Sequence, residues 1–139
     1  MNIPTAILLT ELDAARLERS IIEQLSLSPE TQEATELEAI LDAAAVVPAT
    51  AVGPHVVTMN SIVVLEEPLS ARRMTITLVY PKDSDVERSR VSVLSPVGRA
   101  IIGTRVGDRV TVSVPDAAPR ELVVAELEYQ PEAAGHFGV

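Results

Sequence analysis

The segment SPVGRAIIG, residues 95–103, is the stretch of the sequence that decides the fold. Ser95 has a side-chain oxygen of the kind that accepts a hydrogen bond from the free N–H groups at the start of a helix. Pro96 suits the first helical position, because its missing N–H would have no partner there in any case. Gly98 allows a close approach to a neighbouring backbone, and Gly103 suits the end of a helix. The segment therefore predicts one short helix of about two turns.

Apolar and polar residues alternate on both sides of this helix. An alternation with a period of two predicts β-strands with one buried face. The predicted strands lie around residues 57–63, 74–80, 91–93, 110–114 and 123–129. Five strands and one short helix predict an α+β domain over residues 55–139, with the helix covering one face of an antiparallel sheet.

Residues 1–47 predict a short antiparallel helical hairpin, joined to the domain by a linker over residues 48–54. Thr10 suits the cap of the first helix, and Ser28 followed by Pro29 suits the start of the second. Each helix carries an apolar stripe with spacings of three and four residues. The stripes consist of Ala14, Leu17, Ile21 and Leu25, and of Ala34, Leu37, Leu41 and Ala44. Helices of about 15 residues rise about 22 Å, so the predicted hairpin is short.

The charge and the composition exclude several classes of function. The net charge is −9 and only 2% of the residues are aromatic, whereas nucleic-acid binding needs clustered cations and often stacking rings. The sequence therefore predicts no direct, sequence-specific contact with nucleic acid. It has no cysteine, no positively charged start ahead of an apolar run, and no apolar run long enough for a membrane span. We expect a cytoplasmic protein that is monomeric or weakly homodimeric.

Several segments resemble a known family of transcription factors. Residues 95–103, followed by VGD at 106–108, resemble the signature of the C-terminal domain of the bacterial transcript-cleavage (Gre) factors, which has an FKBP-like fold. Three further segments resemble a Gre-related subfamily, the regulators of nucleoside diphosphate kinase. They are VVTMNS at 56–61, LVYP at 78–81 and LEYQPEAAG at 127–135. That subfamily has a shortened helical hairpin, in agreement with the pattern at the N-terminus.

The resemblance implies a binding mode on RNA polymerase core. In Gre factors the C-terminal domain docks at the rim of the polymerase secondary channel, while a long coiled coil enters the channel. Ser95 and Pro96, at the start of the signature helix, match the docking residues, so the resemblance implies that they bind the polymerase. The acidic residue that often precedes this serine in the cleavage factors is Leu94 here. An influence on nucleoside diphosphate kinase, which the subfamily implies, would then be indirect, through gene expression.

The hairpin departs from that of the cleavage factors, which help to hold a catalytic magnesium with acidic residues at the tip of their coiled coil. Here the tip reads LSLSP at residues 25–29, and Glu23, Glu30 and Glu33 form no paired set. A hairpin of about 22 Å is also too short to reach the polymerase active site. We therefore expect a non-catalytic regulator that occupies the Gre-factor site without stimulating transcript cleavage, and that uses no metal and no cofactor.

Other chemistries find little support in the sequence. His55 and His136, the only histidines, stand apart from each other and from any cluster of metal-ligating residues. A prolyl isomerase, the activity of FKBP-type enzymes, would need a pocket walled by several aromatic rings, and the chain has only Tyr80, Tyr129 and Phe137. Two alternatives stay open: an interaction module for a partner other than the polymerase and, with less support, a prolyl isomerase.

Overall fold

The computed structural model describes residues 7–27, 32–114 and 116–138. The elements are, in chain order, β1 (Leu8–Thr10), α1 (Glu11–Leu27), α2 (Gln32–Ala43), β2 (Ala45–Val47), β3 (Ile62–Glu66), β4 (Arg73–Val79), β5 (Arg90–Ser92), α3 (Pro96–Ile101), β6 (Arg109–Val112) and β7 (Arg120–Tyr129). A helical hairpin comes first and a sheet with one short helix follows, which confirms the predicted α+β class. No helix in these described stretches is long and apolar enough to cross a membrane.

The two helices of the hairpin pack together through their apolar stripes. Thr10 caps α1 as predicted, since its Oγ1 accepts a hydrogen bond from the backbone N–H of Asp13 at 3.1 Å. Leu17 of α1 and Leu37 of α2 are fully buried and belong to one hydrophobic cluster. The predicted start of the second helix, at residues 28–29, lies outside the described residues.

A two-stranded parallel sheet, which the sequence does not predict, closes the base of the hairpin. β1 leads into α1, β2 follows α2, and Leu9 lies opposite Val46 in their register. The backbone N–H of Leu8 also donates to the carbonyl of Gly103 at 3.1 Å. Gly103 has a φ of 75°, and a Cβ at this position would lie 2.8 Å from the Cβ of Ile7, so a larger residue would be strained there. The N-terminal segment is therefore attached to the C-terminal half of the chain.

The larger sheet has five strands in the order β5-β4-β3-β7-β6. Neighbouring strands pair antiparallel except β4 and β5, which pair parallel. The sheet is therefore mixed, and the expectation of a purely antiparallel sheet is wrong at this edge. The chain between β4 and β5 passes through two short 3₁₀ turns, Pro81–Asp83 and Val86–Arg88. This connection brings the chain back to a position beside Thr77, so β5 pairs with the last residues of β4 and runs in the same direction.

The first strand of this sheet begins later than the sequence predicts. β3 starts at Ile62, although Met59 continues the alternation and is buried. A turn interrupts the strand, because the N–H of Ser61 donates to the carbonyl of Thr58 at 3.2 Å. Asn60 has a φ of 66°, a left-handed conformation that asparagine tolerates better than most residues. The alternation at residues 57–61 therefore reflects a buried turn.

One hydrophobic cluster contains buried residues from both halves of the chain. Leu37 of the hairpin and Ile101 of α3 both belong to it, and neither has any exposed surface. The division into a hairpin over 1–47, a linker over 48–54 and a domain over 55–139 stays a prediction. A common hydrophobic cluster shows that the two halves pack together. It does not show whether either half can fold alone, which is what the predicted division concerns.

Candidate functional site

The signature helix α3 begins at Ser95 and Pro96, as the sequence predicts. The Oγ of Ser95 accepts a hydrogen bond from the N–H of Gly98 at 3.1 Å and donates one to the carbonyl of Ser92 at 2.6 Å. Pro96 occupies the first helical position. The hydrogen bonds confirm the capping role of Ser95, and the position of Pro96 confirms the predicted proline at the first helical position. Both residues are partly exposed, and their implied role in binding the polymerase stays a prediction.

Gly98 explains why the signature contains a glycine inside the helix. The helix packs so closely on the preceding segment that a Cβ at Gly98 would lie 2.2 Å from the carbonyl oxygen of Ser92 and 2.7 Å from the Cα of Val93. Ile101 on the same helix is fully buried. The predicted close backbone approach is confirmed, and it holds the start of α3 in one position against the end of β5.

Leu94 stands where the cleavage factors often carry an acidic residue, and it is only 7% exposed. Its backbone N–H donates a hydrogen bond to the Oγ of Ser92 at 3.1 Å. Its carbonyl accepts a hydrogen bond from the guanidinium of Arg99. The chain therefore offers an apolar core residue, and no carboxylate, immediately before Ser95.

Arg99 connects α3 to the hairpin. Its guanidinium lies 2.7 Å from the carboxylate of Glu36 on α2, and the Arg99 side chain is only 11% exposed. A partly buried, charge-assisted pair is stronger than one in water, because the surroundings screen it less. Sequence reasoning missed this pair, since no local pattern relates two residues so far apart in the chain.

Asp13, in the first turn of α1, is buried at the base of the hairpin. Its Oδ2 accepts a hydrogen bond from the N–H of Met59 at 3.1 Å, and its Oδ1 accepts one from the hydroxyl of Tyr80 at 3.2 Å. Burial raises the pKa of Asp13 from 3.8 to about 6. The hydrogen bond from Met59 opposes this rise, and the nearby carboxylate of Glu132 adds to it. The hairpin is thus attached to the sheet through a carboxylate that is costly to ionise.

Tyr80 stands at the centre of this contact, which gives the LVYP segment a structural role. Burial raises the pKa of the Tyr80 hydroxyl, and the charge of Asp13 raises it further, so the hydroxyl stays protonated and donates. The guanidinium of Arg16 acts on the same hydroxyl in the opposite direction. Arg16 also donates to the carbonyl of Gly138 at 3.2 Å. One chain of polar contacts therefore runs from the C-terminal segment to the base of the hairpin.

A cleft of about 830 Å³ opens beside Tyr80, between α1 and the turn that follows β4. Its charged lining combines three cations with two acids. They are Arg16, Arg19 and Lys82, and Glu23 and Asp83. Because the charges are of both signs, the cleft favours no single class of charged ligand.

The C-terminal segment EYQPEAAG attaches the linker to the domain. The Nε2 of Gln130 donates to the carbonyls of Gly53 and Val56, both at 2.7 Å. The Oε1 of Glu132 accepts a hydrogen bond from the hydroxyl of Thr58 at 2.6 Å. These contacts hold the linker and the buried residues Val56 and Thr58 against the C-terminal segment. The segments that resemble the subfamily therefore meet near the base of the hairpin.

The residues considered for metal binding do not come together. Glu23 and Glu33 are exposed on the helices, and Glu30 lies outside the described residues. His55 and His136 are both exposed. In the part of the chain that the structure describes, no group of three or more His, Cys, Asp or Glu side chains could hold a metal ion.

The fold and these motifs define a class of transcription factor. Residues 52–129, more than half of the chain, match the family described as "Transcription elongation factor, GreA/GreB, C-term". The chain therefore belongs to the GreA/GreB family.

Within this family, the chain is 38% identical over 137 residues to "Regulator of nucleoside diphosphate kinase" of Escherichia coli strain K12, which covers 99% of this chain and 98% of that protein. The solved structure "Prokaryotic transcription elongation factor GreA/GreB from Nitrosomonas europaea" matches with a TM-score of 0.73 at 35% identity, over 91% of this chain and 100% of that one. "Transcription inhibitor protein Gfh1" of Thermus thermophilus is 36% identical over 73 residues, which covers 51% of this chain and 47% of that protein. The resemblance to the regulators of nucleoside diphosphate kinase and the Gre-type fold are both confirmed.

Proposed function

We propose that this protein binds RNA polymerase core at the Gre-factor site near the secondary channel and does not stimulate transcript cleavage. Its membership of the GreA/GreB family supports the choice of partner. A relative named as a transcription inhibitor supports a regulatory role. The protein then acts by occupying the site, in competition with the longer factors that enter the channel.

The proposed docking edge consists of Ser95 and Pro96. The edge is partly exposed, and its backbone is fixed by the cap and by the proline ring. A preorganised edge loses little conformational entropy on binding. Because Leu94 replaces the acid found in many cleavage factors, we propose that the edge is recognised by shape and apolar contact rather than by charge.

The length of the hairpin is the observation that best supports a function without transcript cleavage. α1 has 17 residues, which corresponds to about 25 Å at 1.5 Å per residue. Ile21 is the last buried residue of α1. After Glu23, the sequence to the end of the tip, LSLSP at 25–29, contains no carboxylate. Magnesium is usually bound by one or two carboxylates together with phosphates. The hairpin thus supplies neither the reach nor the ligands that cleavage requires.

The positions of the aromatic residues give no support to a prolyl isomerase activity. Tyr80 is buried in the contact with Asp13, whereas Tyr129 and Phe137 belong to the C-terminal segment. These rings do not form the wall that a prolyl isomerase needs. A cytoplasmic location and an indirect effect on nucleoside diphosphate kinase, through transcription, both follow from the proposed partner.

Binding to purified RNA polymerase core, followed by a cleavage assay on a stalled elongation complex, tests this function. We expect a stable complex and no increase in the release of short 3′ RNA fragments. Fragments that increase with added protein would contradict the absence of cleavage. A protein that fails to bind core polymerase, but is recovered with a different partner, would support the alternative of a separate interaction module.

A further inference from the structure

Arg99 contacts two parts of the protein that the proposed function uses together. One side of its guanidinium donates to the carbonyl of Leu94, the residue directly before the docking edge. Another nitrogen lies 2.7 Å from the carboxylate of Glu36, near the middle of α2. One side chain therefore joins the backbone of the docking edge to the hairpin.

The chemistry of arginine suits a connection of fixed geometry. The guanidinium is planar and directs its donors in a rigid fork, so two partners bound at once are held at a defined angle. The Arg99 side chain is 11% exposed and that of Glu36 is 43% exposed, so water screens this pair less than a pair in which both side chains are exposed. In the pair between Arg88 and Asp85, at 3.7 Å, the arginine side chain is 71% exposed, and solvent screens this pair more strongly.

The direction of the hairpin depends on attachments to both of its helices. The contacts of Asp13 with Met59 and Tyr80 hold the first turn of α1. The ion pair of Arg99 with Glu36 holds α2. Buried residues of both helices also pack in the shared hydrophobic cluster, and apolar packing has no directional preference. The ion pair adds an attachment of defined geometry on α2.

We propose that the Arg99–Glu36 ion pair fixes the direction in which the hairpin projects from the docking edge. Because the pair fixes the position of the hairpin relative to the docking edge, the two parts form one surface of defined shape for binding to RNA polymerase. Arg99 is thus a positioning residue, since it acts through the hairpin. The polymerase part of this inference rests on the function proposed above, whereas the orientation of the hairpin does not.

The absence of cysteine from the sequence makes a distance measurement straightforward. Spin labels at Ser26→Cys, near the tip of the hairpin, and at Ser84→Cys, in the exposed turn after β4, report the distance between the two parts. The test variant is Glu36→Gln, which removes the charge but keeps the size. The matched control is Glu38→Gln, an exposed acid on the same helix.

We expect Glu36→Gln to broaden the distribution of label distances and to weaken polymerase binding by about threefold to tenfold, the range of a weak to moderate pair. Glu38→Gln should leave both unchanged. Arg99→Lys keeps the charge but loses the fork, so it should also broaden the distances. A distribution in Glu36→Gln as narrow as that of the unsubstituted protein, with an unchanged mean, would overturn the inference.

The two readouts separate this inference from the proposed function. The label distances are measured without polymerase, so they test the ion pair even if the unsubstituted protein does not bind polymerase, which is the result that contradicts the proposed function. Broadened distances together with unchanged polymerase affinity would refute the claim that the fixed direction serves polymerase binding.

Discussion

Asp13→Asn gives the most quantitative test of the contact at the base of the hairpin. The rise in the pKa of Asp13 from 3.8 to about 6 means that the folded protein binds this proton more tightly than the unfolded chain. The contribution to the free energy of unfolding is therefore fully present below about pH 4 and is lost as the pH rises through about 6. At about 1.4 kcal/mol per pKa unit, the loss amounts to about 3 kcal/mol. Asparagine keeps the size of the side chain and accepts from the N–H of Met59, but it has no charge to bury.

The assay is urea denaturation of both proteins at steps from about pH 4 to about pH 8, the range over which the proton is lost. Titrating groups that do not interact with Asp13 are common to both proteins and cancel in the difference. We expect Asp13→Asn to gain about 3 kcal/mol relative to the unsubstituted protein across this range. Glu18→Gln, which removes an exposed acid from the same helix, is the control for the loss of one charge. A difference between Asp13→Asn and the unsubstituted protein that stays constant with pH would refute the reasoning.

Further predictions concern the signature helix and the division of the chain. Gly98→Ala should destabilise the fold by roughly 1–3 kcal/mol, measured by denaturation, because its Cβ would meet the carbonyl of Ser92 at 2.2 Å; a neutral result would contradict the close approach. Pro96→Ala should cost only about 0.4–1 kcal/mol and yet weaken polymerase binding, and binding like that of the unsubstituted protein would remove this residue from the interface. Ile101→Ala should lose about 2–5 kcal/mol, with any loss of binding following the loss of folded protein. The fragment 54–139 should unfold cooperatively in a thermal melt, and a non-cooperative transition would assign the hairpin to its core.

Much of the fold follows from local patterns in the sequence. The cap at Thr10 and the signature helix after Ser95 are visible because capping depends on residues three positions apart. The parallel pairing of β5 with β4 is not visible, since strand direction depends on how a loop returns the chain. The turn at Asn60 also escapes a reading by alternation, because a buried turn and a half-buried strand both place apolar residues at similar spacings.

The site is less accessible from the sequence than the fold. Asp13 precedes Leu17 by four residues and Ile21 by eight, so it lies on the buried stripe of α1, and this spacing was a usable signal for a buried acid. Its partners, in contrast, come from segments far along the chain. The pair of Arg99 with Glu36 likewise depends on tertiary packing alone. The subfamily segments could be recognised, but their meeting near the base of the hairpin required the structure.

The measurement that tests the central claim most directly is competition on a stalled elongation complex. Cleavage of backtracked RNA is started with a fixed amount of a GreA factor, and this protein is then added in increasing amounts. We predict that the release of short 3′ RNA fragments falls towards the level without the GreA factor, because in the proposed function both proteins occupy one site and only the longer one stimulates cleavage. Release that stays constant at saturating amounts of this protein, or that increases, would contradict the account.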